Sequence, residues 1–262
     1  MSRGSAPILE SPGRGPAIIE PDRLYRKKPR LPAAAVLCFF LDLLREEEAA
    51  GRLKPVLRLK GEGDPIQVWR RGRGARAQTV CFPGIGAPMA ASTLEELIAL
   101  GVRDVIACGG AGVLDSSLPV GQALVVTSAL RDEGTSYHYL KPARWVRLHP
   151  FASRAIRQVC AEGGQSLRAV RAWTTDGVYR ETPGQIRKRR AEGCGVVEME
   201  AAALAAVARF RKIRFGQLLY AGDDVSGSVW RHRDWTGQLA ARRAMYRLAL
   251  SACERLRSLG AS

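Results

Sequence analysis

Two carboxylates flank a thioether in residues 195–203, where Glu198 and Glu200 enclose Met199. The segment joins a β-branched, strand-like run to an Ala-rich helical pattern. That junction places the carboxylates at the carboxyl edge of a sheet, where α/β proteins bind ligands. An ionised Glu200 could accept hydrogen bonds from two neighbouring hydroxyls, as a ribose diol presents them. Acidic residues are also common at the start of a helix, so this simpler interpretation stays open on the segment alone.

A second acidic pair, Asp223 and Asp224, follows the apolar run at 215–220 and precedes Val-Ser-Gly. A carboxyl group placed directly after a buried strand could donate a proton to a leaving group. Asp and Ser also form turns and caps routinely. The residues of this loop alone therefore leave both catalysis and capping open.

Strand-like and helical patterns alternate from residue 34 onwards, and both acidic pairs lie where a strand ends. Apolar runs predict strands at 34–40, 66–70, 78–82, 105–108, 123–128, 170–174, 196–197 and 215–220. Helical patterns lie at 41–50, 90–100, 151–162, 185–192, 201–210 and 234–259. The alternation predicts an α/β fold, in which helices cover a mixed, mostly parallel sheet within a single domain. Residues 1–31, rich in Pro, Gly and Arg, are predicted to form a flexible arm, and residues 32–262 the domain itself.

The chain of 262 residues has a formal net charge of +16. The excess is mostly Arg, spread along the chain and not interleaved with aromatic residues as a base-stacking platform requires. We interpret it as a solvated surface that attracts small anions, and a non-catalytic nucleic-acid-binding protein is the alternative of another class. No apolar run reaches the ~18 residues of a membrane helix, so no membrane partner is expected. The six cysteines include no CxxC pair, which indicates reduced thiols in a cytoplasmic protein.

Three segments, in order, resemble the nucleoside phosphorylase and nucleosidase superfamily, which includes purine nucleoside and uridine phosphorylases. They are the glycine-rich residues 84–88 with the strand that ends at 109–112, the acidic segment 195–203, and the loop 221–227. The resemblance covers roughly residue 76 to the C-terminus. It implies the fold of that superfamily, cleavage of an N-glycosidic bond of a nucleoside and, by analogy, a homo-oligomer.

The resemblance also implies roles for individual residues. Met199 and Glu200 match the ribose clamp, and Glu198 matches a second acidic position of the same motif. Asp223 matches the catalytic residue that protonates the leaving base in the purine-acting branch. The glycine-rich core is expected to approach the substrate through Ile85, Gly86, Gly109 and Gly110.

In the segment 174–182, which matches a base pocket, Val178 stands where an aromatic ring often stacks on the base, with Tyr179 beside it. This departure leaves the identity of the base open.

The phosphate site of the family is not matched. Phosphorolytic members usually begin with a Gly-Asp-Pro-x-Arg loop, which residues 31–40 lack, and they usually carry an Arg where this chain has Ala107. Arg131, on a loop after a strand, is the leading candidate for binding phosphate, with Arg180 or an Arg of a neighbouring subunit as alternatives. We expect phosphorolysis with phosphate as co-substrate, no metal and no other cofactor. Hydrolysis by a nucleosidase is the alternative.

Overall fold

The computed structural model describes residues 6–10, 13 and 15–259. The strands are β1 (Ala34–Cys38), β2 (Lys54–Leu59), β3 (Ile66–Arg71), β4 (Gln78–Cys81), β5 (Asp104–Val113), β6 (Ala123–Asp132), β7 (Trp145–Arg147), β8 (Leu167–Thr175), β9 (Val196–Glu198) and β10 (Arg214–Asp224). The helices are α1 (Pro21–Tyr25), α2 (Leu41–Ala49), α3 (Ala87–Ala99), α4 (Pro150–Glu162), α5 (Pro183–Ala191), α6 (Ala201–Phe210) and α7 (Leu239–Ser258).

Part of the sheet closes on itself. The strands follow the order β10–β6–β8–β9–β5, and β10 pairs again with β5, so these strands form a ring. From β5 the sheet continues outward through β1, β4, β3 and β2, and β7 pairs with β6. The pairings of β1 with β4 and β5, and of β5 with β10, are parallel, whereas β2 and β3 at the outer edge pair in antiparallel fashion.

Helices cover both faces of the sheet, because consecutive residues of its inner strands point to opposite sides. On β5, Val105 packs into one core with α3 and α6, and Ile106 packs into a second core with α4 and α7. All of residues 201–208 in the Ala-rich helix α6 are buried. The predicted α/β domain with a mixed sheet covered by helices is confirmed.

The parallel pairing brings the carboxyl ends of β1, β4, β5 and β10 to one edge. The short strand β9 instead runs antiparallel to β5, with Val197 opposite Gly112. The chain therefore turns from β9 into α6 directly over the end of β5. This turn carries the acidic segment.

Part of the predicted arm packs against the domain. The Tyr25 hydroxyl donates to Glu96 Oε2 at 2.6 Å, and the Arg30 guanidinium donates to the carbonyl oxygen of Ala99 at 2.6 Å, both on α3. These contacts correct the prediction of a flexible arm for residues 25–31, because hydrogen bonds to α3 tie that backbone down. Residues 1–5, 11, 12 and 14 of the predicted arm lie outside the described residues.

All six cysteines are buried and free. Five of them pack as small apolar groups in the two cores, and Cys194 packs in a separate small cluster with Trp173 and Ile186. None of the helices in the described part of the chain is long and apolar enough to cross a membrane.

Candidate active site

A cavity of about 810 Å³ opens at the edge where β1, β5, β9 and β10 meet. Its volume falls within the range of about 300–1,000 Å³ that is usual for small-molecule sites. Most of the residues predicted to bind substrate line it: Ile85, Gly109, Gly110, Val178, Tyr179, Glu198, Met199, Glu200 and Asp223. Gly86 and Arg131 do not.

Glu200 is the N-cap residue of α6, and it is 7% exposed. Its Oε1 accepts a 2.6 Å hydrogen bond from the amide of Gly86. Gly86 has a φ of +90°, which residues with a side chain rarely adopt. The structure thus gives Gly86 a contact that positions Glu200, in place of the predicted contact with substrate. Burial and, after it, the charge of Glu198 raise the pKa of Glu200 to about 8.

Glu198 lines the cavity, but its carboxylate is engaged by the protein. Its Oε2 accepts hydrogen bonds from the amides of Glu200 at 2.8 Å and Ala201 at 2.6 Å, and its Oε1 accepts one from the hydroxyl of Thr174. Burial raises the pKa of Glu198. These contacts correct the predicted role. Glu198 caps the first turn of α6 and holds the junction that presents Glu200.

Asp223 and Asp224 end β10 in different surroundings. Asp223 lines the cavity, and its Oδ2 accepts a 2.7 Å hydrogen bond from the indole Nε1 of Trp230. Asp224 is 2% exposed, accepts a 2.8 Å bond from the amide of Ser226 and pairs with Arg231. Although burial opposes the effect, these contacts lower the pKa of Asp224. Asp223 is therefore the carboxyl group that a ligand can reach, and Asp224 holds the turn.

A further acidic residue in the cavity, Glu181, was not predicted from the sequence. It follows the short helical turn Val178–Arg180, inside the segment that resembles a base pocket. Burial and, after it, the charge of Asp223 raise the pKa of Glu181 to about 7. Glu181 therefore retains a proton in about half of the molecules at neutral pH. Its position beside Val178 and Tyr179 was the signal that could have identified it.

The ends of β1 and β5 form an apolar wall of the cavity. Gly109 and Gly110 pair with β10 inside the sheet, so they are not a loop of free amides. A Cβ on Gly109 would lie 3.4 Å from the Phe39 ring, and one on Gly110 would lie 3.0 Å from the Tyr220 ring. The rings of Phe40 and Tyr220 are 5.9 Å apart. The two glycines line the cavity as predicted, but they make room for aromatic rings and do not form an anion cradle.

The mouth of the cavity is apolar and open. Tyr179 is 96% exposed, Ile85 59% and Val178 48%. Met199 stands deeper and is half-buried beside Glu200. In the single chain, Val178 and Tyr179 therefore form the rim of the cavity. Among the described residues of the segment 174–182, no aromatic ring covers the position predicted for the base.

Arg131 lies at the end of strand β6, outside the cavity, and is 4% exposed. Its guanidinium donates to Ser136 Oγ and to the carbonyl oxygen of Lys141, each at 2.8 Å, and stacks 4.2 Å over the ring of Tyr137. Its planar donors are thus used to hold the loop 131–141. This placement corrects the prediction that Arg131 binds a phosphate beside Asp223 and Glu200.

Among the described residues, Arg242 of α7 is the only arginine or lysine that lines the cavity. It pairs with Asp42 and lies 4.9 Å over the ring of Phe40. The carboxyl groups of the cavity therefore outnumber its fixed cations, and the one guanidinium already has an anionic partner.

Gln217 of β10 is 1% exposed and lines the cavity. Its Oε1 has no hydrogen-bond partner among the described residues. A buried amide oxygen without a donor is uncommon, and a hydroxyl or N–H of a ligand would satisfy it. A single Gln within an apolar strand pattern carries no sequence signal for such a role.

Comparison with known proteins identifies a family and several relatives. A family model described as the phosphorylase superfamily matches residues 63–252. Guanosine phosphorylase of Halorubrum lacusprofundi is 29% identical over 141 residues, which cover 53% of this chain and 58% of that protein. Uridine phosphorylase of Salmonella typhimurium is 27% identical over 165 residues, which cover 57% of this chain and 65% of that protein. The matched region thus spans less than two thirds of either relative.

Solved structures share the fold over most of the chain. AMP nucleosidase of Bacteroides thetaiotaomicron superposes with a TM-score of 0.71 at 23% identity, covering 88% of this chain and 91% of that one. Purine nucleoside phosphorylase of Toxoplasma gondii, solved in complex with immucillin-H, superposes with a TM-score of 0.70 at 21% identity, covering 89% and 94%. At these identities the likeness shows the fold alone.

Proposed function

The chain belongs to the phosphorylase superfamily, and from that membership we propose that it is an enzyme that cleaves the N-glycosidic bond of a nucleoside. The observation that carries the proposal is the placement of Glu200 and Asp223 in one cavity of about 810 Å³. Relatives that are guanosine and uridine phosphorylases support a nucleoside as the substrate class.

The sugar would be held by Glu200 and Met199. Bond cleavage places positive charge on the ribose, and an enzyme accelerates it by binding that charged state more tightly than the substrate. Glu200 has one oxygen fixed by Gly86, and its carboxylate would accept hydrogen bonds from the diol and stabilise the cationic ribose. Met199 supplies a polarizable apolar surface beside the sugar.

The leaving base would be met by Asp223 and Glu181. Burial and the neighbouring charge of Asp223 raise the pKa of Glu181 to about 7, so Glu181 holds a proton beside Asp223 up to near-neutral pH. We assign transfer of that proton to Asp223, with Glu181 as its neighbouring reservoir. The indole of Trp230 holds Asp223 Oδ2, which leaves Oδ1 to face the base.

Water is the nucleophile that the single chain favours. A phosphate dianion would enter a cavity with several carboxyl groups and an apolar wall of Phe39, Phe40 and Tyr220, which is unfavourable for a charged group. Neutral water meets no such penalty. The proposed activity is therefore that of a nucleosidase, which releases free ribose.

Phosphorolysis is the second candidate, and two observations favour it. The curated relatives are phosphorylases, and the guanidinium of Arg242 is within the cavity lining. Phosphate binding would require Arg242 to exchange Asp42 for phosphate, or a second subunit to bring a cation to the open mouth at Tyr179. We include a homo-oligomer in the proposal on the strength of that exposed apolar mouth.

The test incubates the purified protein with a panel of purine and pyrimidine nucleosides, with and without phosphate, and identifies the sugar product. Free ribose at equal rates in both conditions supports hydrolysis. Ribose 1-phosphate formed only with phosphate establishes phosphorolysis instead. No cleavage of any nucleoside by wild-type protein would refute the proposed function.

A further inference from the structure

A second cavity, of about 420 Å³, lies away from the candidate active site. It is bounded by the end of β7, the start of α4, the end of α6 and the start of β10, and it shares no lining residue with the first cavity. Arg214 lies at the first residue of β10 and Asp223 near its last. At about 3.3 Å per residue, Arg214 and Asp223 are about 30 Å apart along this strand, whereas Phe215 of the second cavity and Gln217 of the first are only two residues apart.

Cations surround this second cavity. Its lining includes the cations Arg147, Arg209, Lys212 and Arg214 and, among the described residues, no acidic side chain. His149 also lines it, but burial and the charge of Arg214 lower the pKa of this imidazole. Arg214 pairs with the buried Asp104, with Nε and Oδ1 at 2.5 Å. In the described part of the chain, the other Arg and Lys side chains of this cavity have no carboxylate partner within 4 Å.

The floor of the same cavity is apolar. Leu148, Ile213 and Phe215 line it and are almost fully buried within the fold. A ligand that matches both surfaces carries a multiply charged anionic group at the cationic rim and an apolar or aromatic body on the floor. An organic phosphate ester has this chemistry.

Lys212 occupies a backbone position that usually belongs to glycine. The amide of Ile213 donates to the carbonyl of Ala208 and that of Lys212 to the carbonyl of Arg209, which is the Schellman pattern of a helix end. Lys212 has a φ of 55°, in the left-handed region where a Cβ is strained. A cation at the rim of the cavity is thus retained at a site where glycine would fit with less strain.

We propose that this cavity, with Arg147, Arg209 and Lys212 at its rim, is a binding site for a phosphate ester with an apolar body. The proposal stands on the geometry of this cavity and does not depend on the nucleoside-cleaving activity. Because the two cavities share no lining residue but both contact β10, through Phe215 and Gln217, a ligand bound here would act on the first cavity as an effector.

The test measures binding of 2-naphthyl phosphate, inorganic pyrophosphate and 2-naphthol by calorimetry at low salt. The double variant Arg209→Ala/Lys212→Gly removes two cations and keeps the helix end intact, because glycine is the preferred residue there. The control double variant Arg187→Ala/Lys188→Ala removes the same charges from the exposed face of α5. Arg209 and Lys212 line the second cavity and not the first, so a loss of binding in Arg209→Ala/Lys212→Gly distinguishes this site from the proposed active site.

Saturable one-to-one binding of 2-naphthyl phosphate to wild-type protein is expected, with weaker binding of pyrophosphate and none of 2-naphthol. The Kd of 2-naphthyl phosphate should rise at least about tenfold in Arg209→Ala/Lys212→Gly, since each charge-assisted hydrogen bond lost weakens binding about tenfold or more. The control variant should bind as wild type does. Absence of binding, or equal weakening in the two double variants, would overturn the proposal. The proposal would also be wrong if a DNA oligonucleotide, and none of the three small probes, bound in a way that depends on Arg209 and Lys212. These residues would then belong to a nucleic-acid-binding surface.

Discussion

Replacing Glu200 with Gln should slow catalysis and stabilise the protein at the same time. The Gln side chain has nearly the same volume, and its amide oxygen can still accept the hydrogen bond from Gly86. What disappears is the ability to ionise: burial keeps Glu200 protonated up to about pH 8 in the free protein, and a ribose that gains positive charge would favour its carboxylate form. Loss of a charge-assisted hydrogen bond of about 2–3 kcal/mol lowers kcat/KM by roughly 30- to 150-fold.

The effect on stability follows from the pKa of Glu200, which is raised to about 8 in the folded protein. Below pH ~4.5 the residue is protonated in both the folded and unfolded states, and its burial carries no ionic penalty. As pH rises from there to about 8, the unfolded chain releases the proton while the folded protein retains it, so the wild type loses stability. Gln does not titrate. The variant should therefore gain stability relative to wild type across this window, by an amount on the order of a few kcal/mol.

The assay combines kcat/KM for the nucleoside identified by the panel with urea unfolding at pH 5 and pH 9. Glu62→Gln is the matched control, because Glu62 is exposed on a loop and undergoes the same chemical change. It should alter neither quantity. Near-normal kcat/KM in Glu200→Gln would refute the ribose clamp. A loss of stability of similar size at both pH values, with kcat/KM unchanged, would show that Glu200 serves only to hold the amide of Gly86.

Other predictions concern the base side of the cavity and the loop of Arg131. Asp223→Asn should lower kcat/KM strongly for nucleosides with purine-type leaving groups and much less for a nucleoside whose activated base departs unprotonated. Asp224→Asn should lower Tm and affect kcat/KM of the two substrates equally. In Glu181→Gln, the decline of kcat/KM as pH rises through about 7 should disappear from the pH–rate profile, because the wild-type group loses its proton there. Arg131→Met should lower the free energy of unfolding by roughly 1–3 kcal/mol in urea titrations, since loop hydrogen bonds are lost, and leave the rates with and without phosphate in the same ratio.

Two predicted residues that the structure brings into one cavity stand at junctions between local patterns. Asp223 lies at the end of β10, which is parallel to β5, so strand direction predicts that it faces a ligand. Glu200 follows β9, which runs antiparallel to β5, and the sequence pattern does not show that direction. Glu198 was placed in the right region, but its role depends on hydrogen bonds from Thr174, on another strand, and from Ala201. A pattern along one segment does not contain that information.

What was missed depends on contacts between distant segments. Glu181 joins the site because the chain after β8 passes Asp223, and Gln217 because β10 lies inside the closed ring of strands. Strand β2 was not predicted because its residues are mostly exposed at the edge of the sheet and include Pro55. Arg131 was assigned to phosphate from its residue type, whereas its acceptors are backbone carbonyls of its own loop.

The contrast between the surface and the cavity bears on the nucleophile. A protein with a formal net charge of +16 attracts anions over much of its surface. Its candidate active site has the opposite character, because Glu181, Glu200 and Asp223 face a space with one paired guanidinium. Burial raises the pKa of Glu181 to about 7 and that of Glu200 to about 8, so a bound group that is cationic or rich in donors would favour the ionised forms of these side chains. A ribose that gains positive charge during bond cleavage is such a group, and a phosphate dianion is not. This electrostatic match is the reason that we propose water as the second reactant. It also predicts that the site selects its substrate by the positive charge that the sugar develops during bond cleavage.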